Sequence, residues 1–308
     1  MRKAVAIPVL LLSALGTWVA GGALLADPPT LRAQTETPAA ELGHAGKAEF
    51  LPGFERNEPI FVLVIGSDAR PGFCEPAEKC LADSLHLIGI NPQRGAATIL
   101  GLPRDSYVEI PGRGPGKING ALLAGGPQLV VQTVEALVGV DIDYYFLTAF
   151  EGFRHMVNDV GGLEVEVPYS ITGSGRLPSL SPGLQQLDGE LALALARNRK
   201  GVPNGDFSRT ENQGLILLAA LEKFRSDVRQ DPVSLLTWVD SGLTHIRTDL
   251  SAGEIFGLAL ACMSIPPTRV NNLVTPGGIG TSPEGASVVT LGEKADVVFA
   301  DIRRDGLA

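Results

Sequence analysis

Apolar and polar positions along the chain alternate between two periods. Phe61-Val62-Leu63-Val64-Ile65 is an unbroken apolar run that stops at Gly66, the pattern of a strand buried on both faces. Residues 84–90 and 97–102 predict two more strands, joined by the turn Asn91-Pro92-Gln93-Arg94-Gly95. Leu129, Val130, Val134, Leu137 and Val138 recur at helical spacing and predict a helix over 127–138 with Pro127 in its first turn. A strand over 144–148 and a helix over 150–160, stopped by Gly161-Gly162, follow. Residues 163–167 alternate like a strand with one wet face. Helices are expected near 190–196, 210–225, 233–242 and 252–263, and strands near Leu273 and Val288 are expected to close the chain. Interleaved strands and helices predict one α/β layered domain over 58–308, and no internal repeat breaks it.

The first residues follow a different rule. Met1-Arg2-Lys3 is followed by 23 residues without a charge, Ala4 to Ala26. Roughly 20 apolar residues suffice to span a bilayer as a helix. Residues 1–27 therefore read as a single-pass N-terminal transmembrane anchor, with a cleaved signal sequence as the alternative. With Arg2 and Lys3 on the cytoplasmic side, the rest of the chain faces outward, which places the folded domain outside the cell membrane. Residues 28–57 hold Asp27-Pro28-Pro29 at their border and show no period; they read as a tether.

Composition narrows the chemistry. The 308 residues are 44% hydrophobic and 19% charged, which excludes a dominantly disordered chain. A net charge of −9 argues against nucleic acid as a partner. Three Cys and four His leave carboxylates as the expected ligands of any metal. Cys74 and Cys80 flank a short polar loop in an exported domain, so a disulfide is expected there, two surface thiols being the alternative. Cys262 lies in an apolar run and reads as a buried thiol.

Polar residues interrupt the apolar pattern at four places. Gly66-Ser67-Asp68-Ala69-Arg70 follows the first strand, and Ala82-Asp83-Ser84 enters the next. Each Asp alone reads as a turn residue; together, at neighbouring strand ends, they could share magnesium through oxygen ligands. Pro103-Arg104-Asp105-Ser106 ends the third strand, shortly before Lys117-Ile118-Asn119. The densest stretch is Arg197-Asn198-Arg199 with Gly205-Asp206-Phe207-Ser208-Arg209. Ser208-Arg209-Thr210-Glu211 fits a capping box and predicts a helix start there, with Arg209 in the first turn. An acidic protein that gathers several Arg beside two or three Asp suggests a pyrophosphate and a divalent cation. A membrane-delivered substrate fits an extracytoplasmic site better than ATP, and no Walker loop is present.

These segments resemble the LytR-CpsA-Psr family of cell-wall phosphotransferases. Asp143-Tyr144-Tyr145, Gly161-Gly162-Leu163-Glu164-Val165, Gln186-Leu187-Asp188-Gly189 and Gln213 complete the likeness, which covers residues 60 to about 215. The resemblance implies a three-layer α/β/α domain with a central mixed sheet and a hydrophobic lipid pocket. It implies transfer of a glycopolymer from a polyprenyl-pyrophosphate carrier to the muramyl 6-hydroxyl of peptidoglycan. It assigns Mg2+ to Asp68 and Asp83. It assigns the pyrophosphate to Arg70, Arg104, Arg197, Arg199 and Arg209, supported by Lys117, Asp206 and Gln213. Asp105 is implied as general base or orienter of the acceptor hydroxyl, acting with Arg104, Arg197 and Arg199. The helices around Val130–Val138 and Leu215–Leu221 could line the lipid pocket or be ordinary core. Two departures stand out: Leu81 and Asn212 occupy positions where the family commonly carries Arg. A non-catalytic receptor for lipid-linked wall precursors and a lipid pyrophosphate hydrolase are the alternative functions.

Overall fold

The computed structural model describes residues 58–173, 177–199 and 202–308. The anchor and tether expected over 1–57 lie outside the described residues.

The chain begins with β1 (Ile60–Ser67), β2 (Ala82–Asn91) and β3 (Ala96–Gly101), then a small hairpin of β4 (Tyr107–Ile110) and β5 (Gly114–Lys117). Next come α1 (Gly120–Val138), β6 (Tyr144–Ala149), α2 (Phe150–Asp159) and a second hairpin, β7 (Leu163–Val167) with β8 (Gly183–Leu187). Helices α3 (Gly189–Arg197), α4 (Asp206–Gln230) and α5 (Ser234–His245) follow. The short β9 (Arg247–Thr248), α6 (Ala252–Cys262), β10 (Val270–Val274), β11 (Gly277–Thr281), β12 (Ser287–Leu291) and α7 (Glu293–Asp305) complete it.

The central sheet has the order β10-β3-β2-β1-β6-β9. It is mixed: β1 pairs β6 and β10 pairs β3 in parallel, and the remaining pairs are antiparallel. Strict alternation along β1 sorts its side chains. Phe61, Leu63 and Ile65 pack with Val130, Val134 and Phe299 on one face, which carries α1 and α7. Ile60 and Val62 pack with Leu258, Leu217 and Leu221 on the other, which carries α4 and α6. A third cluster joins α2, α3, α4 and the β7–β8 hairpin through Val157, Leu187, Leu195 and Ile216.

The α1 segment is two helices. Gly125 and Gly126 leave helical geometry, Gly126 with φ of 70°, and the helix restarts at Pro127 as the spacing predicts. By length and composition this is the one helix among the described residues apolar enough to cross a membrane. The kink leaves only its second part continuous, and Val130, Val131, Val134 and Val138 are buried against the sheet, so it is a core helix.

Two sequence expectations are corrected. The α4 helix starts at Asp206, not Ser208, with Gly205 at its N-cap and no side-chain cap. The Ser208 hydroxyl instead accepts from the Asn204 amide at 3.1 Å, so no capping box forms there. The chain closes on α7 rather than on a strand; Ala295, Phe299 and Ile302 give it a buried stripe that a charged, short segment hides. Residues around Val130–Val138 pack in the core on the face away from α4, in keeping with the ordinary-core reading left open for them.

Candidate functional site

Asp83 is the centre of the cluster. It opens β2, its side chain is nearly buried, and three Arg from three segments converge on it. Arg104, just past β3, donates to Asp83 Oδ1 at 2.5 Å. Arg209, in the first turn of α4, donates to the same oxygen at 3.1 Å. Arg197, at the end of α3, places Nε 3.9 Å from Oδ2. Arg209 also pairs with Asp206 one turn back on its helix, so a guanidinium only 1% exposed joins two carboxylates. Burial pushes the Asp206 carboxyl up and the Arg209 and Arg197 guanidinium groups down; the neighbouring charges of the opposite sign work against it.

Around this centre stand the other residues that the sequence singled out. Asp68 follows β1; its amide and its carboxylate both pair with the backbone of Leu81, at 2.9 and 3.0 Å. That pairing uses the main chain of position 81, which any side chain would supply. Arg70 lies over the ring of Phe73 at 3.8 Å and its charge is felt at Arg197. Arg197 itself stacks on Phe150 at 4.1 Å. Arg199 is exposed beyond the end of α3, and its charge acts on Arg209 and Asp206. Lys117, on β5, pairs with Asp105 at 3.1 Å. The Gln213 amide donates to the carbonyls of Asp83 and Ala196, at 3.2 and 3.0 Å, and so pegs α4 to β2 and α3. Asn212 is buried and accepts from the Tyr169 hydroxyl at 3.1 Å.

The loop that carries Arg70 is closed covalently: Cys74 and Cys80 form a disulfide, as expected. Arg70 bridges to Cys74 within that loop, and Ser67 donates to the carbonyl of Ala77 at 2.7 Å. Sequence reasoning missed His86. It is fully buried on β2, with Nδ1 3.1 Å from the Ser84 hydroxyl and Nε2 3.1 Å from the carbonyl of Thr210. Burial lowers its pKa to about 4. A neutral imidazole therefore dowels β2 to the first turns of α4, next to Asp83 and Arg209. Gly101 permits the same approach from β3, since a Cβ there would lie 2.4 Å from a Thr210 methyl.

Among the described residues, three cavities border the cluster; one, of about 190 Å³, lies beside Arg197 and Arg199 against Ile171, Leu177 and Pro178. On one side an apolar slot of about 90 Å³ runs between the sheet and α2, α3 and α4, with Phe150, Phe153, Leu193 and Ile216 along it and Asp83 and Arg197 at its polar end. On the other side an open groove of about 1120 Å³ lies between the loop 203–207 and the β11–β12 hairpin, with Asp105 and Asp206 among its lining. Among the described residues no group of three or more His, Cys, Asp or Glu is arranged to hold a metal by itself.

The chain matches the sequence profile of the LytR_cpsA_psr family over residues 31–301. A relative from Bacillus mycoides (strain KBAB4), named polyisoprenyl-teichoic acid–peptidoglycan teichoic acid transferase TagU, is 37% identical over 208 residues. That match covers 66% of this chain and 64% of the relative, so the chain spans just under two thirds of the relative's length. The fold is similar to that of TagT from B. subtilis, with TM-score 0.67, 28% identity and coverage of 85% of this chain and 95% of the other. It is also similar to TagV from B. subtilis, with TM-score 0.67, 25% identity and coverage of 81% and 96%. A further similar structure, at TM-score 0.69 and 28% identity over 85% of this chain and 94% of the other, is of TagT bound to LIIa-WTA.

Proposed function

This chain belongs to the LytR_cpsA_psr family, and on that premise we propose that it transfers a glycopolymer from a polyprenyl-pyrophosphate carrier to a hydroxyl of peptidoglycan. The observation that carries this reading is the convergence of Arg104, Arg197 and Arg209 on Asp83 at the polar end of an apolar slot. Such a site suits a ligand with an anionic head and a hydrocarbon tail. The name of the Bacillus mycoides relative supports the same class of donor and acceptor. The slot, about 90 Å³, is smaller than a polyprenyl chain needs, so a bound tail requires it to widen.

In the proposed reaction the acceptor oxygen forms a bond to the phosphorus that carries the glycopolymer. The bond from that phosphorus to the bridging oxygen breaks, and polyprenyl phosphate leaves. Asp105 takes the proton of the attacking hydroxyl, with Lys117 holding its carboxylate in place. Arg70, Arg104, Arg197 and Arg199 bind the phosphate oxygens and stabilise charge on the leaving group. Arg forks suit this because they meet two phosphate oxygens at once. Arg209, Asp206 and Gln213 hold that array in position from below. Asp68 and Asp83, at neighbouring strand ends, would hold magnesium as two hard oxygen donors once the donor's phosphates are bound. Bound there, the ion would neutralise charge on the phosphates. We further propose that residues 4–26 anchor the chain in the membrane, which keeps the slot within reach of a lipid-borne donor.

The full chain, a polyprenyl-pyrophosphate-linked glycan and peptidoglycan test this. Arg104→Ala and Arg199→Ala are each expected to lower transfer by about 30- to 1000-fold, the equivalent of about 2–4 kcal/mol of transition-state stabilisation. Release of polyprenyl phosphate without polymer on peptidoglycan would instead make the chain a hydrolase. Tight donor binding with no turnover would make it a receptor. Wild-type transfer by both variants would overturn the pyrophosphate assignment.

A further inference from the structure

We propose that the groove between the loop 203–207 and the β11–β12 hairpin binds the acceptor glycan strand, with Asp105 and Asp206 at its inner end. The proposal rests on the transfer reading above and deepens it. Three features carry it. The first is the order of parts. The apolar slot ends at Asp83 and Arg197, Arg209 links Asp83 to Asp206, and Asp206 and Asp105 line the groove. With a tail in the slot and phosphates on the arginines, the groove is the cavity lined by Asp105, the base of the proposed reaction, and so the direction from which a second substrate meets it.

The second feature is charge. The groove's inner end presents carboxylates where the cluster presents guanidinium groups. Asp105 is paired with Lys117 and Asp206 with Arg209, so among the described residues this end has no unpaired cation to hold another phosphate, while the carboxylate oxygens still accept from hydroxyls. A neutral polyhydroxyl chain suits that end; a polyanionic one does not.

The third feature is the wall itself. Strand β11 reads Gly277-Gly278-Ile279-Gly280-Thr281, so the outer wall has almost no side chains and a flat backbone. Ile279, 81% exposed, is its one large apolar surface. A sugar ring has hydroxyls at its edge and C–H groups on its face, and this wall offers backbone groups for the first and Ile279 for the second. The same hairpin is tied to the reacting end: the Val289 amide donates to the carbonyl of Asp105 at 2.8 Å, and Ser106 bridges to Val289. Glycan seated on β11–β12 is thus in register with Asp105. At about 1120 Å³ the trough exceeds the roughly 300–1,000 Å³ of small-molecule sites and suits several sugar rings.

The test measures binding to the full chain of two probes, a GlcNAc–MurNAc tetrasaccharide with its muramyl carboxyls capped as amides, hence neutral, and farnesyl pyrophosphate with magnesium. Ser287→Trp, at an exposed position on the same face of the hairpin as Ile279, fills the groove. Ile279→Asp replaces the apolar surface with a charge. Each is expected to weaken tetrasaccharide binding at least tenfold and to leave farnesyl pyrophosphate binding within twofold, with unchanged thermal melts. Tetrasaccharide binding that both variants retain would overturn the groove assignment and leave the transfer reading standing. So would a wild-type chain that binds farnesyl pyrophosphate and no tetrasaccharide. A wild-type chain that binds neither probe would overturn the transfer reading together with the groove.

Discussion

Arg209 and Arg199 bear the same charge, and their surroundings give them opposite consequences. Arg209 is 1% exposed between Asp83 and Asp206. Its loss leaves two carboxylates close together with less to neutralise them, and breaking a buried pair costs about 3–5 kcal/mol. Arg199 is exposed, and its loss is expected to change stability by under about 1 kcal/mol. Urea melts of Arg209→Ala and Arg199→Ala check this; equal losses would mean that the two share one role. His86 makes a second residue-scale prediction. Its folded pKa of about 4 lies below the value of 6.5 that the unfolded chain shows. The unfolded chain therefore takes the proton first as pH falls. The stability due to neutral His86 is complete above about pH 6.5 and is lost on the way to pH 4, by about 3 kcal/mol in all. In His86→Gln that part of the slope should vanish, and melts at pH 7, 5.5 and 4.5 on both proteins show whether it does.

At the scale of the element, the disulfide loop matters because of what it carries. Cys74–Cys80 closes a short ring, and loop-closure entropy assigns it about 2 kcal/mol. Cys74→Ser with Cys80→Ser is expected to lose about that much stability in chemical denaturation. Donor KM should rise as well, because Arg70 bridges to Cys74 and loses its support. An unchanged KM would free Arg70 from any part in donor binding. Elements with a strong local period were legible in the sequence: β1 from its apolar run, the second part of α1 from Pro127, α2 from its Gly161-Gly162 stop. The hairpin β4–β5 and strand β11 were not, because glycine and proline carry no period, whereas β12 was expected near Val288. The start of α4 was misplaced because Ser208 has the composition of a cap, while Gly205 has the backbone for one, with φ of 54°. The site residues were legible as polar breaks at strand and helix ends. Their pairing was not: Asp83 meets Arg209 across 126 residues, and only the sheet register and the docking of α4 decide that contact. His86 stayed hidden because one histidine in an apolar strand has no pattern to mark it.

At the scale of the molecule, the site is an island of the wrong sign. The chain carries a net charge of −9. Arg70, Arg104, Arg197, Arg199, Arg209 and Lys117 face Asp68, Asp83, Asp105 and Asp206, so six cations against four carboxylates leave an excess of two positive charges there. An anion approaching elsewhere meets repulsion and at the island meets attraction, which raises the encounter rate at low ionic strength. Between 10 mM and 200 mM salt the screening length shrinks from about 30 Å to under about 10 Å. Stopped-flow association of farnesyl pyrophosphate should therefore slow several-fold over that range, while tetrasaccharide association should hardly change. Equal salt dependence of the two would disprove this separation of roles. The converging arginines thereby do more than hold an anion. For a long polyanionic polymer joined to its carrier by a pyrophosphate, an acidic surface with one positive opening acts as an aligning field. If the transferred polymer is polyanionic, it would not lie down along such a surface; it would be held by one end and trail into solvent, and its length would not enter the recognition.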